Sequence, residues 1–172
     1  SLCQDKKGVV CILGTGSNAI FYNGKTCTSI NSSLGYIAGD EGSGNDLGKR
    51  VLQHYAYKTF DKPLQDAFEE MTGTDLTTII TKLYKEPFPN RYLASFAKLL
   101  ANNRGHFMVE NIIEDGINDF FFHHIWIFHG NFCIPVVCQL GLGRRMASKA
   151  RGEFWSWPRP RRSRRPAGNR PR

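Results

Sequence analysis

The chain has 172 residues, 41% of them apolar and 12% aromatic, values of a globular domain large enough to bury a core. No run of about 18 apolar residues occurs, which excludes a helical membrane span. The formal net charge of +8 is local: residues 1–143 carry 12 Lys/Arg against 14 Asp/Glu, whereas residues 144–172 carry 11 Lys/Arg against Glu153 alone.

Ser1-Leu2-Cys3-Gln4-Asp5-Lys6-Lys7 holds no initiator Met and no signal-peptide apolar region, so the chain reads as starting inside a larger gene product. Gly8 to Leu13 is short, β-branched and ended by a glycine turn, the pattern of a buried strand. Ala19–Tyr22, Asn23-Gly24 and Lys25–Ile30 predict a hairpin with a type I′ turn, since Asn-Gly suits two central residues of positive φ. Three antiparallel strands are the expected start, followed by a loop over 31–36. From Ser43 the period becomes helical, with Leu47, Val51, Leu52, Tyr55 and Phe60 on one face. Further helices are expected over 63–71 and from a Thr74 cap to Tyr84. Another is expected over 91–101 after the Pro87-Phe88-Pro89-Asn90 break, and a last one over 106–123.

Beyond His124 the pattern changes. Residues 125–143 are apolar without periodicity and read as irregular. Residues 144–172 are rich in Arg and Pro and read as disordered. The organisation is therefore a folded unit over 1–124 with two appended segments. Cysteines at 3, 11, 27, 133 and 138 form no Cys-x-x-Cys pair. Cys11 and Cys27 are expected to be buried thiols in strands, in a reduced, cytoplasmic compartment.

Two motifs carry chemistry. Gly14-Thr15-Gly16-Ser17 ends a strand with backbone N–H groups able to converge on an anion, and Thr15 and Ser17 add hydroxyls. A strand-ending Gly-x-Gly also serves as an ordinary turn, so the residues leave both readings open. It is neither a Walker loop nor a Rossmann fingerprint, because a hairpin rather than a helix follows. Gly39-Asp40-Glu41-Gly42-Ser43-Gly44 places two acids ahead of a helix, where capping accounts for one of them. Glu114, Asp115, Asp119, His123 and His124 match no metal-ligand spacing and are expected on a solvated helix face, so no metal site is assigned.

Val9–Asn18, followed by Leu34-Gly35-Tyr36-Ile37-Ala38 and Gly39–Gly44, resembles the BadF/BadG/BcrA/BcrD-type ATPase family, and within it the bacterial N-acetylglucosamine kinase-like proteins. Pro87–Phe96 and Ile113-Glu114-Asp115-Gly116 are similar to that subgroup as well, so the likeness covers roughly residues 4–124. It implies an α/β fold, part of a ribonuclease H-like, actin-like ATPase lobe, with ATP and Mg²⁺ as cofactors and an amino sugar as substrate. Gly14, Thr15, Gly16 and Ser17 would be the second phosphate-binding turn, with Thr15 near the transferred phosphoryl group. Asn18, Gly35, Tyr36, Asp40 and Glu41 would lie at the sugar. Homodimers are implied for full-length members.

The chain departs from that pattern at both ends. The family's first phosphate turn is absent, and its base aspartate is expected upstream of residue 1; Asp5 stands too close to the strand to replace it. At the other end, Cys133–Gly141 replaces a family strand and Gly-Ser turn, and a shifted reading frame between about residues 124 and 135 would make the basic tail a translation artefact. The expected function is a fragment of an ATP-dependent amino-sugar kinase, inactive alone. The alternatives are an ATPase activating a dehydratase, and nucleic-acid binding through the tail.

Overall fold

In the computed structural model the described residues are 7–29, 31–125 and 136–138, the last three for their backbone alone. The basic tail and the segment of the expected frame shift lie outside them. Strands β1 (Gly8–Leu13), β2 (Ser17–Tyr22) and β3 (Cys27–Ser29) form the expected antiparallel meander. A strand β4 (Val136–Cys138) adds parallel to β1, so the sheet order is β3-β2-β1-β4. It falls in the segment read as irregular, because three residues are too few to show alternation.

The β2–β3 connection differs from the expected two-residue type I′ turn. Tyr22 pairs with Cys27, which leaves Asn23–Thr26 as the loop. Gly24 takes φ 97° while Asn23 does not take positive φ. Instead the Asn23 side-chain Oδ1 accepts the N–H groups of Lys25 and Thr26, each at 2.9 Å. The asparagine side chain does the turning that the backbone was expected to do. Cys27 also differs from expectation: it is exposed, as are all three residues of the edge strand β3.

One helical turn, α1 (Gly35–Ala38), precedes five longer helices: α2 (Gly44–Ala56), α3 (Lys62–Thr72), α4 (Leu76–Lys85), α5 (Pro89–Asn102) and α6 (Phe107–His124). Their starts follow from local chemistry. Ser43 caps α2 through the Asp46 N–H at 3.2 Å, and Asp61 caps α3 through the Leu64 N–H at 3.3 Å. Asp75, rather than the expected Thr74, caps α4 by accepting the Thr78 N–H at 3.1 Å. Pro89 opens α5 where its missing N–H costs nothing.

The core has two parts. Leu47, Val51, Phe68, Phe96, Leu100, Val109 and Ile112 pack between the helices. Val9, Cys11, Leu13 and Ala19 pack under the sheet with Phe120 and Ile125. Helix α6 enters both, with Val109 and Ile112 in the first and Phe120 in the second, and so ties helices to sheet. Burial pushes the Cys11 thiol up to about 12.

Helices α2 and α5 cross with their backbones touching at Gly48, where a Cβ would stand 1.8 Å from the Leu93 carbonyl oxygen. A Gly48→Ala substitution must separate the two helices, and is expected to cost about 3 kcal/mol or more. Gly73→Ala, at φ 60° with open space around it, is expected to cost about 1–2 kcal/mol through backbone strain alone. Urea midpoints of the two variants against wild type check the order.

Candidate functional site

The two glycine motifs are fastened to each other. The first amides of α2 donate to the β1–β2 turn: Gly44 N–H to the Gly14 carbonyl at 2.8 Å, and Asn45 N–H to the Thr15 carbonyl at 3.0 Å. The first N–H groups of any helix lack partners within it. Here the turn supplies them. Because Ser43 takes the capping role, Asp40 and Glu41 are both free of it.

Asp40 adopts φ 63°, uncommon for a residue other than glycine. That conformation lays its carboxylate on the phosphate-like turn. Its Oδ1 accepts the Ser17 N–H at 3.3 Å, and a Cβ at Gly16 would meet Oδ2 at 2.9 Å and Cγ at 3.1 Å. A side chain at Gly16 would therefore push the Asp40 carboxylate out of this position. Within the turn the Gly14 N–H donates to the Gly16 carbonyl at 2.9 Å, while the Thr15 and Gly16 amides have no partner among the described residues. Those two amides and the exposed Thr15 hydroxyl form the donor set an anionic phosphate oxygen needs.

Glu41 turns the other way, toward the end of α6. Its Oε2 lies 3.1 Å from His124 Nε2, and its Oε1 lies 3.8 Å from His123 Nδ1. Burial would raise its pKa, but its own backbone N–H, the His124 hydrogen bond and the two histidine charges outweigh that and hold it below 4.5. Behind the loop, Asp46 accepts the Gly42 N–H at 3.0 Å and Arg50 Nε at 3.0 Å, and Arg50 reaches Asp119 at 2.5 Å.

An open cleft of about 330 Å³ joins these groups, lined by Ser17, Gly39, Asp40 and Glu41, by Asn31 to Leu34, and by His123 and His124. Ser17 Oγ is buried at its edge with no hydrogen-bond partner among the described residues, an uncommon state that a ligand group can relieve. Of the sequence-derived site residues, the cleft gathers Ser17, Asp40 and Glu41. Gly14 is buried behind it, Thr15 and Asn18 are exposed, and Gly35 is half-buried at φ 68°. Tyr36 contributes through its carbonyl, which accepts Asn45 Nδ2 at 3.0 Å and Lys49 Nζ at 3.1 Å.

Residues 31–34 and the two histidines were missed. The acidic and histidine cluster of α6 was expected on a solvated face. Glu114 and Asp115 are there, but His124 is only 9% exposed and Asp119 serves Arg50. The physical reason is that α6 ends against the acidic loop, 83 residues away in sequence from His124. The adjacent histidines at an amphipathic helix end were the available signal. No group of three His, Cys, Asp or Glu side chains among the described residues is placed to hold a metal. No helix among them is long and apolar enough to cross a membrane.

No family model matches the chain. The N-acetylmuramic acid/N-acetylglucosamine kinase of Clostridium acetobutylicum is 25% identical over 126 residues, 69% of this chain and 41% of that protein. A crystal structure from Porphyromonas gingivalis, of a protein provisionally named an N-acetylglucosamine kinase, superposes with a TM-score of 0.79 at 31% identity over 87% of this chain and 53% of that one. A similarly named protein from Chromobacterium violaceum superposes with a TM-score of 0.64 at 22% identity, over 79% of this chain and 49% of its own. The fold is that of the N-acetylglucosamine kinases, a sugar-kinase-like class, and the chain is related to them in sequence. It spans about half the length of the relatives it matches.

The lowered Glu41 pKa has a consequence for acid stability. A carboxylate whose pKa falls on folding stabilises the fold above its ordinary value of 4.5, and that contribution disappears as pH drops through the lowered value. Glu41→Gln is expected to be less stable than wild type at pH 7 by about 1 kcal/mol. The gap should close as pH falls below 4.5 and through the lowered pKa. Urea midpoints measured across that range check it.

Proposed function

We propose that the chain is part of an ATP-dependent amino-sugar kinase, with the sugar in the Asp40–Glu41 cleft and the phosphates at the Gly14–Ser17 turn. The observation that carries this is the seating of Asp40 on Gly16 and Ser17. It brings the acidic loop and the glycine turn, already joined by the Gly44 and Asn45 hydrogen bonds, together at one place. Carboxylates accept sugar hydroxyls, and Asp40 and Glu41 offer acceptors from adjacent positions of one loop. Asn31, Ser32 and Ser33 line the same cleft and add polar residues to it.

The Thr15 and Gly16 amides suit phosphate oxygens, and bound ATP with Mg²⁺ would supply the transferable phosphoryl group and neutralise charge on it. The protein's contribution is positioning, which an interlocked loop and turn provide. Transfer also uses a general base for the sugar hydroxyl, a group whose removal typically lowers rate by about 10²–10⁴. A dehydratase-activating role would ask a cysteine for a thiolate ligand to iron; the buried Cys11, whose thiol is pushed up to about 12, is opposite in character, and the exposed Cys27 is the thiol among the described residues that an iron assay on the purified chain tests.

Titration of the chain with N-acetylglucosamine, followed by amide NMR, is expected to saturate, with shifts at Gly16, Ser17, Asp40 and Glu41. Absence of saturable shifts at these positions would sink the reading. Gly16→Ala provides a sharper check. Its methyl group meets only the end of a flexible side chain, so stability should change by less than about 1 kcal/mol. The displaced Asp40 should nonetheless weaken sugar binding by about tenfold, measured by calorimetry beside a thermal melt.

A further inference from the structure

Helix α6 is outside both glycine motifs, yet it ends in the cleft. His124 is buried and its ring stacks on that of Phe120 one turn earlier, with centroids 5.0 Å apart and planes at 30°. Phe120 is itself fully buried beneath the sheet. The imidazole thus stands on the sheet core and cannot swing freely. The carbonyl of His123 accepts Asn31 Nδ2 at 2.6 Å, which ties the helix end to the polar rim of the cleft. Glu41 is half-buried, and as an ionised carboxylate it only accepts hydrogen bonds, so His124 Nε2 carries the hydrogen between them.

We propose that His124 is a positioning residue of the sugar site. By donating Nε2–H to Glu41 Oε2 it fixes the glutamate so that Oε1 faces the ligand. His123 Nδ1, at 3.8 Å from Oε1, is beyond hydrogen-bond distance. Oε1 therefore keeps acceptor capacity for a sugar hydroxyl. This inference rests on the amino-sugar reading above and adds a specificity-setting contact from α6 to it. It also explains why a histidine stands where the stack on Phe120 alone would accept any aromatic ring.

Two substitutions separate the hydrogen bond from the packing. His124→Phe keeps the ring stack and removes the donor, whereas His124→Gln removes the ring and keeps an N–H donor of similar reach. Calorimetric titration of each folded variant with N-acetylglucosamine is expected to show about tenfold weaker binding for His124→Phe. His124→Gln should stay within about threefold of wild type, since it keeps the donor. The double variant Glu41→Gln/His124→Phe is expected to bind no more weakly than Glu41→Gln alone, because the two residues act as one unit. Wild-type affinity in His124→Phe, or His124→Gln losing as much as His124→Phe, would overturn the positioning role while leaving the sugar site standing. No sugar binding by the wild-type chain would overturn the sugar reading and this inference together.

Discussion

Two main-chain hydrogen bonds at the start of α2 hold the site in one piece. The Gly44 and Asn45 amides sit in a region with almost no solvent access, where a donor without a partner would cost about 1–3 kcal/mol. Helix geometry denies them partners of their own, and the carbonyls of Gly14 and Thr15 provide them. A turn between two strands and a loop ahead of a helix are thereby locked together. The same bonds redirect the chemistry. A helix N-terminus ordinarily welcomes an anion, but this one is spent on carbonyls. An anion at the site must be met by the turn's remaining amides, which is why the exposed Thr15 matters more than the dipole of α2.

Close approach at glycine recurs at three depths, with different consequences. At Gly48 the neighbour is backbone of α5, so the helix pair depends on the missing side chain. At Gly42, φ 67°, a Cβ would stand 2.8 Å from the carbonyl oxygen of Gly116, so the acidic loop lies directly on α6. At Gly16 the neighbour is a carboxylate that can rotate away. The first two positions bear on whether the chain folds. The third bears on where Asp40 points. Glycine thus serves packing within α2 and in the acidic loop, and sets a side-chain direction in the β1–β2 turn.

Much of the fold was legible in the sequence because it is local. The helices from Ser43, over 63–71, from Thr74 and over 91–101 were expected close to where they occur, and the strands followed from short β-branched runs. The errors were local as well: Asn23 turned the chain with its side chain, and Asp75 took the cap from its neighbour. What sequence could not show is long-range pairing. Two acids beside a glycine turn suggested a site, but nothing in their spacing shows that Asp40 covers Gly16 or that Glu41 meets His124. The exposed Cys27 was missed for a related reason, since alternation along β3 cannot reveal that it is an edge. The resemblance of the glycine motifs carried the fold, and the comparison with solved structures agrees with it over about half the length of those proteins.

The pairing of acids in the loop has a physical logic beyond capping. Adjacent carboxylates directed to the same point would repel, and burial would sharpen the repulsion. Positive φ at Asp40 costs about 1 kcal/mol, and it sends the two side chains apart. Asp40 goes to an amide of the β1–β2 turn and Glu41 to an imidazole on α6. Each charge then has its own donor, and the cleft receives acceptors anchored to two elements, the β1–β2 turn and the end of α6. Phe120 packs the end of α6 under the sheet, so both anchors rest on the same core. The strain at one residue is what lets a single loop read both.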